Sequence, residues 1–227
     1  MRGILSAILI ESLETEEITS LAVVGGSSTE PELLALRNKF PKLNYQLYGI
    51  ENAEGKENFE YLDLNALNMI TENYDLVICN QVIEHIWNLN QALMTLRNLV
   101  RPGGYIWINC PASNMAHGSP EYYSAGYTPD LLIKMNENLD VTCLRAGTLG
   151  SKRLYFFTHA LKYWPSAFEL RHPILSFRPL RSYGRKVISK SFIALLGRIY
   201  ATSFSNKIST EIDCATETYY LGKVIDK

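Results

Sequence analysis

The chain has 227 residues, 47% of them hydrophobic and 20% charged, which suits one sizeable globular domain or a domain with a large insertion. No apolar run approaches the roughly 18 residues of a membrane-spanning helix, which argues against a transmembrane class. The net charge of −1 excludes a uniformly basic or acidic protein, but the charge is unevenly spread. Residues 1–150 are acidic, whereas residues 151–210 carry 11 Lys and Arg against one Glu.

The first residues, 1–14, combine one Arg with a short apolar stretch. Because Glu11 follows at once and no small-residue cleavage site is present, the pattern predicts a first helix rather than a signal peptide. The cysteines form no C-x-x-C pair, which predicts small buried thiols in a reducing compartment. They are Cys79, Cys110, Cys143 and Cys214.

Apolar runs alternate with helical patterns along most of the chain. The predicted strands are 20–26, 45–51, 59–65, 74–80, 105–111, 140–147, 153–159 and 217–225. The predicted helices are 29–40, 88–100 and 128–139. Near-continuous apolar strands that alternate with helices predict an α/β fold with a doubly wound, mostly parallel sheet.

Local signals predict where three of these helices begin or end. Thr29 is a candidate N-cap with Glu32 at capping-box distance, and Thr128 is a candidate N-cap for the later helix. The sequence RPGG at 101–104 should end the helix 88–100 and turn the chain.

Polar and glycine residues follow the early strands at their carboxyl ends. They are the pair Gly25–Gly26, the acids Glu51 and Asp63, and the amides Asn80 and Gln81. In doubly wound sheets, ligands bind at the carboxyl ends of the strands, near the point where the strand order reverses. A glycine turn admits a ligand close to backbone N–H groups, and an acid after the second strand can accept two ribose hydroxyl protons.

Residues 74–111 resemble class I S-adenosylmethionine-dependent methyltransferases. The likeness rests on a D-h-V strand (YDLVICN), an "EHh" segment (EHI), a helix that ends near RPGG, and the strand YIWINCP. The small-molecule members that act on quinone, sugar or polyketide hydroxyls are the most similar. The resemblance implies a Rossmann-like methyltransferase fold, S-adenosyl-L-methionine as cofactor, and O-methylation of a small-molecule or glycan-like acceptor.

The resemblance also implies roles for individual residues around the cofactor. Glu51 would bind the ribose diol, Asp63 with Leu64 the adenine edge, and Asn80 with Gln81 the far side of the cofactor. The glycine-rich loop would contain Gly25, Gly26 and Ser27.

The first loop departs from the family pattern, acid-h-G-x-G-x-G. Val23 stands in place of the acid, and Ser27 and Thr29 replace the second and third glycines. The missing acid would normally help to hold the amino group of the cofactor's methionine part. Gln81 stands where metal-dependent members have a carboxylate, so no metal is expected.

Two histidines are candidates for the general base that deprotonates a hydroxyl acceptor. His85 is the first choice, since imidazole titrates near neutrality, and the alternative is that it holds its loop by hydrogen bonds. His117 is the second, in a Gly/Ser/Tyr-rich loop after the fifth strand. Tyr122, Tyr123 and Tyr127 in that loop would wall the acceptor site or pack the loop.

The basic segment 160–210 is predicted to be an insertion before the last strand, with residues 1–159 and 211–227 forming the cofactor-binding domain. Three readings are open. In the first, the insertion is a lid whose cations are solvated. In the second, it contacts an anionic acceptor or, through residues 160–207, anionic lipid as a peripheral membrane contact. The third, nucleic-acid binding, is disfavoured because no nucleic-acid module accompanies the charge. The expected location is the cytoplasm, with the inner face of the membrane as the alternative.

Two rival functions differ in class from the enzyme. A non-catalytic binding or partner subunit is compatible with the altered loop. A nicotinamide-dependent oxidoreductase would need G-x-G-x-x-G after the first strand, and that motif is absent.

Overall fold

The computed structural model describes residues 2–51, 57–68, 70, 72–113, 120–150 and 216–226. The strands are β1 (Ser20–Val24), β2 (Asn44–Gly49), β3 (Phe59–Tyr61), β4 (Tyr74–Asn80), β5 (Val100–Pro111), β6 (Val141–Leu149) and β7 (Glu217–Val224). The helices are α1 (Arg2–Ser12), α2 (Pro31–Lys39), α3 (Leu89–Asn98) and α4 (Pro129–Glu137), with a short 3-10 helix at Ile83–His85.

The strands form one seven-stranded sheet in the order β3-β2-β1-β4-β5-β7-β6. β1 pairs in parallel with β2 and β4, β4 pairs in parallel with β5, and β7 runs antiparallel to β5. All seven residues of β4 are buried, as expected of a central strand covered on both faces. The predicted doubly wound, mostly parallel sheet is confirmed, and its order reverses between β1 and β4.

The beginnings of β1 and β4 are joined by a carboxylate. One oxygen of Asp75 accepts hydrogen bonds from the backbone N–H groups of Thr19 and Ser20, at 2.8 and 2.9 Å, and from the Thr19 hydroxyl. The other oxygen accepts from Arg101. Burial alone would raise the pKa of Asp75, but the hydrogen bonds from Arg101, Thr19 and Ser20 outweigh it and hold that pKa well below its usual value.

Two local predictions are wrong. α2 begins at Pro31 with Glu30 as its N-cap, so Thr29 does not cap it; the Thr29 hydroxyl instead lies 2.8 Å from the Ser27 hydroxyl. The RPGG sequence lies inside β5 rather than in a turn, because α3 already ends at Asn98. Gly103 adopts φ +73°, and the β4–β5 register shifts nearby, so these residues form an irregularity within a strand.

Other local predictions agree with the structure. The Thr128 hydroxyl accepts from the N–H of Leu131 at the start of α4. Cys79 and Cys110 are buried free thiols, as predicted, and burial raises the pKa of the Cys79 thiol. Cys143 is a free thiol that is only partly buried. Within the described ranges, no helix combines the length and apolar character needed to cross a bilayer.

The chain divides into two compact units, Met1–Thr148 with Glu217–Lys227, and Leu149–Thr216. Almost all of the second unit lies outside the described residues. The predicted strand 153–159, the boundaries of the insertion 160–210, and Cys214 fall there and stay predictions.

Candidate functional site

A glycine turn leaves β1 at the point where the strand order reverses. The N–H of Gly25 donates to the carbonyl of Tyr48 at 2.7 Å, which ties the turn to the end of β2. Gly25 adopts φ +72°, and a Cβ there would lie 2.3 Å from a methyl carbon of Val82. Both observations require glycine, because a positive φ is strained for other residues and the Val82 methyl group already fills the space of a Cβ.

A cavity of about 610 Å³ opens beside this turn, within the size range of small-molecule sites. It is lined by the turn, by the start of α2, and by the end of β2. Its lining is Gly25, Gly26, Ser27, Ser28, Glu30, Tyr45, Leu47, Tyr48, Gly49, Ile50, Glu51, Glu57 and Phe59. In the part of the lining that the structure describes, the charged side chains are three carboxylates, Glu30, Glu51 and Glu57.

A second cavity, of about 490 Å³, shares Gly25, Gly49 and Ile50 with the first. It contains Asp63 and Leu64, which follow β3, and it extends to the 3-10 helix after β4. Its wall includes largely exposed aromatic rings, which are available to stack on a flat ligand. They are Tyr61, Trp87 and Tyr123, exposed by 65%, 63% and 54%.

The acid after β3 is held by its own turn. One carboxylate oxygen of Asp63 accepts from the N–H of Asn65 at 2.9 Å. The side chain of Asn65 in turn accepts from the N–H groups of Trp87 and Asn88, at 3.1 and 3.3 Å. These bonds tie the loop after β3 to the segment before α3 and so shape two walls of the smaller cavity.

His85 lines the smaller cavity and has a defined tautomer. Its Nδ1 lies 2.5 Å from the carbonyl oxygen of Glu121, and because a carbonyl only accepts, Nδ1 carries the proton. Nε2 of the neutral ring is then a proton acceptor. It lies 3.9 Å from a carboxylate oxygen of Glu84, whose side chain is fully buried. The ring also packs edge-on against Tyr122 at 5.8 Å.

The two amides at the end of β4 lie in hydrogen-bond networks inside the fold, and neither is among the residues that line the two cavities. Asn80 is buried; it donates to Glu32 at 3.2 Å and accepts from the indole N–H of Trp107 at 3.1 Å. Gln81 donates to the side chains of Asn109 and Glu217, at 2.9 and 2.7 Å. Their role as cofactor contacts stays a prediction.

The structure therefore brings most of the predicted site residues to one edge. Gly25, Gly26, Ser27 and Glu51 line the larger cavity, and Asp63, Leu64 and His85 line the smaller one. His117 lies outside the described residues and stays a prediction, like the roles of the others. Within the described part of the chain, no group of three metal-binding side chains is found.

Sequence reasoning missed two acids near the glycine turn. Glu30 lines the larger cavity, and Glu32 is buried, with Ser6 and Asn80 donating to its two oxygens. The signal available was the run TEPE, in which two acids flank the proline that starts a helix. The capping-box interpretation of this run did not predict that Glu30 lines a cavity or that Glu32 is buried.

Comparisons with known proteins agree with this geometry. Residues 35–106 match a family model described as "Methyltransferase domain". No curated protein matches the chain by sequence. Solved structures match over nearly the whole chain, at identities that establish the fold alone.

One such structure is a putative sarcosine dimethylglycine methyltransferase from Galdieria sulphuraria, with 13% identity, a TM-score of 0.58, and coverage of 100% of this chain and 85% of that one. A second is coclaurine N-methyltransferase bound to N-methylheliamine and SAH, with 12% identity, a TM-score of 0.56, and coverage of 98% and 72%. A third is the [4+2]-cyclase SpnF, with 10% identity, a TM-score of 0.56, and coverage of 99% and 81%. The predicted methyltransferase fold is confirmed, and so is a methyltransferase domain over the matched residues.

Proposed function

We propose that this chain, a class I methyltransferase by its fold and by the domain matched at residues 35–106, binds S-adenosylmethionine and transfers its methyl group to an oxygen of a small-molecule or glycan-like acceptor. The charge of the larger cavity carries the proposal. Among the described residues, its charged lining side chains are Glu30, Glu51 and Glu57. Carboxylates attract a ligand with sulfonium and ammonium groups, whereas they repel the pyrophosphate of a nicotinamide dinucleotide.

The residues at this edge fit such a cofactor. The glycine turn offers backbone where any Cβ would collide, Glu51 follows β2 and lines the larger cavity, and Asp63 with Leu64 follows β3 and lines the smaller one. The cofactor supplies a methyl group already activated on a sulfonium. The protein then has to orient the acceptor, exclude water and take up one proton.

His85 is the proposed acceptor of that proton. Its Nδ1 donates to the carbonyl of Glu121 and so carries the ring proton, which makes Nε2 the nitrogen that would accept the proton of an acceptor hydroxyl in the smaller cavity. The buried Glu84 carboxylate near Nε2 stabilises the imidazolium that forms. The exposed rings of Trp87 and Tyr123 give the acceptor a surface to stack on.

The cofactor proposal is tested by calorimetry with S-adenosylhomocysteine, the demethylated product. The wild type should bind with micromolar affinity, and Glu51→Ala should weaken binding by about 100-fold, because hydrogen bonds to a charged group are lost at two hydroxyls. Glu14→Ala, at an exposed acid that lines neither cavity, is the control and should bind normally. Absence of wild-type binding at millimolar ligand would refute the cofactor proposal.

The proton-acceptor role is tested with two isosteric variants of His85. Asn places its amide N–H near the Nδ1 position and keeps the bond to the Glu121 carbonyl, but it removes the Nε2 acceptor. Methylation of pooled extracts with a labelled methyl donor supplies the acceptor assay. His85→Asn should retain thermal stability and lose about 10²–10⁴-fold in kcat. If His85 only holds its loop, His85→Asn should retain activity. His85→Gln, which does not place a donor at the Nδ1 position, should then lose stability.

One observation favours a second candidate, a non-catalytic partner subunit. The hydroxyls of Ser27 and Thr29, which replace two family glycines, bond to each other at 2.8 Å within the loop. Retention of a 610 Å³ cavity beside that loop supports the enzyme instead. The same calorimetry separates the two, since a partner subunit predicts no cofactor binding.

The acceptor chemistry and the location of the protein depend on the basic segment 160–207, which lies outside the described residues. We propose that its cations contact an anionic acceptor or anionic lipid of the inner membrane face, in an otherwise cytoplasmic protein. Co-sedimentation with liposomes that contain anionic lipid should fall when 160–207 is removed. Unchanged sedimentation would rule out the segment as a membrane contact.

A further inference from the structure

The glycine turn lies beside an acid that the family pattern does not include. Glu30 is the N-cap residue of α2 by its backbone, with its N–H donating to the carbonyl of Ser27 at 3.1 Å. Its side chain extends over Gly26: the carboxyl carbon lies 3.5 Å from the point where a Cβ on Gly26 would lie. The carboxyl group therefore occupies the wall of the larger cavity directly against the turn.

The position at which the family pattern places an acid is apolar here. Val23 is 1% exposed, and its methyl carbon lies 2.7 Å from the same point on Gly26. Val23 and Glu30 thus flank Gly26: Val23 belongs to the buried core, and Glu30 lines the larger cavity. A ligand that approaches the turn meets a negative charge from Glu30 and none from position 23.

We infer that Glu30 binds the amino group of the cofactor's methionine part, in place of the acid that Val23 replaces. The inference rests on the proposed function and adds a binding residue to it. An ammonium group against a carboxylate makes a charge-assisted hydrogen bond, which is stronger than a neutral one. The ligand carboxylate, next to that ammonium, then faces the N–H groups and hydroxyls of the turn at Gly26 and Ser27.

The test uses two ligands that differ in the amino-acid part. S-adenosylhomocysteine carries the ammonium and carboxylate, whereas 5′-methylthioadenosine has the same adenosine and thioether but neither charged group. Glu30→Gln keeps the side-chain shape over Gly26 and removes the charge. We expect it to weaken binding of S-adenosylhomocysteine by about tenfold and binding of methylthioadenosine by less than about twofold.

Two matched variants make the result specific. Glu14→Gln removes the charge of an exposed acid that lines neither cavity, and it should leave both affinities within about twofold. Glu51→Ala should weaken both ligands together, because both contain the ribose. Thermal unfolding of each variant checks that the fold is intact.

Each outcome decides the inference. If Glu30→Gln binds S-adenosylhomocysteine like the wild type, or weakens both ligands equally, the inference is wrong while the proposed function stands. If the wild type binds neither ligand, the proposed function fails and the inference fails with it. Loss confined to the ligand that has the amino group supports the inference.

Discussion

The two ends of β1 and β4 show opposite uses of polar groups. At their beginnings, Asp75 accepts three hydrogen bonds from Thr19 and Ser20, and Arg101 bonds its other oxygen. At their carboxyl ends, the chain leaves the sheet through Gly25 and opens into a cavity lined by acids. The carboxylate at one end joins two strands, whereas the carboxylates at the other end line a cavity of the size that holds a small molecule.

Substitutions at the beginnings of the strands should act on stability, and substitutions at the carboxyl ends should act on binding. A carboxylate with many protein donors stabilises the fold but has no capacity left for a ligand. A turn made of glycine contributes little packing, yet it allows backbone and ligand to approach closely. Variants at the two ends should therefore separate thermal stability from cofactor affinity.

The largest effect is expected at the carboxyl end. Gly25→Ala forces a Cβ to within 2.3 Å of Val82 in a backbone with φ +72°. The free energy of unfolding should fall by about 2–4 kcal/mol from overpacking and backbone strain, and S-adenosylhomocysteine binding should be lost. Urea unfolding and calorimetry measure the two quantities.

Two companion variants test the cause of that effect. Val82→Ala in the Gly25→Ala background should restore part of the stability by relieving the collision, while the strain of positive φ remains. Gly3→Ala, in α1 with open space around it, should instead stabilise by about 0.5–1 kcal/mol. If Gly25→Ala binds the ligand as well as Gly3→Ala does, the close approach at the turn is not needed.

The next largest effect is expected at the beginnings of the strands. Asp75→Asn should lower the free energy of unfolding by about 1–3 kcal/mol near neutral pH, with the affinity for S-adenosylhomocysteine unchanged. Exposed Asp226→Asn is the control and should change stability by less than about 1 kcal/mol. Loss of ligand binding in Asp75→Asn would break the separation between the two ends.

The stability difference between the wild type and Asp75→Asn should depend on pH. Because the folded-state pKa of Asp75 is lowered, its stabilisation is fully present above the unfolded-state value of about 3.9 and is lost as pH falls toward the folded-state pKa. The stability difference between wild type and Asp75→Asn should stay constant above about pH 5 and shrink below about pH 4. Urea unfolding over that range measures it, and a pH-independent difference would exclude the carboxylate as its source.

The sequence predicted the layered fold and the residues at the strand ends because both depend on local patterns. Continuous apolar runs mark covered parallel strands, and Glu51 and Asp63 simply follow them. The side-chain directions at the start of α2 could not be predicted in this way. The direction of Glu32 depends on Asn80 of β4, which is distant from it in sequence and donates to its carboxylate. The direction of Glu30 depends on the glycine turn, whose shape is set by tertiary packing.

RPGG shows the same limit from the other side. Proline and glycine are local breakers, and the sequence therefore predicted a turn after the helix. The pairing of β5 with β4 extends the strand back to Val100, and the irregular register absorbs the positive φ of Gly103. Pairing with a buried neighbour overrides the local preference, as it often does at a strand end.

The smallest effect is expected for Gln81, which lies at the carboxyl end but whose side chain bonds within the fold. Gln81→Met keeps the length of the side chain and removes the donors to Asn109 and Glu217, so the free energy of unfolding should fall by about 1 kcal/mol. If the amide serves only to join β4, β5 and β7, affinity for S-adenosylhomocysteine should stay within about twofold, as in Asp75→Asn. A tenfold loss of affinity without a matching loss of stability would instead place Gln81 among the ligand contacts with Glu51, as the sequence predicted. The reason is that a donor that only joins strands cannot change the affinity while the fold stays as stable as before.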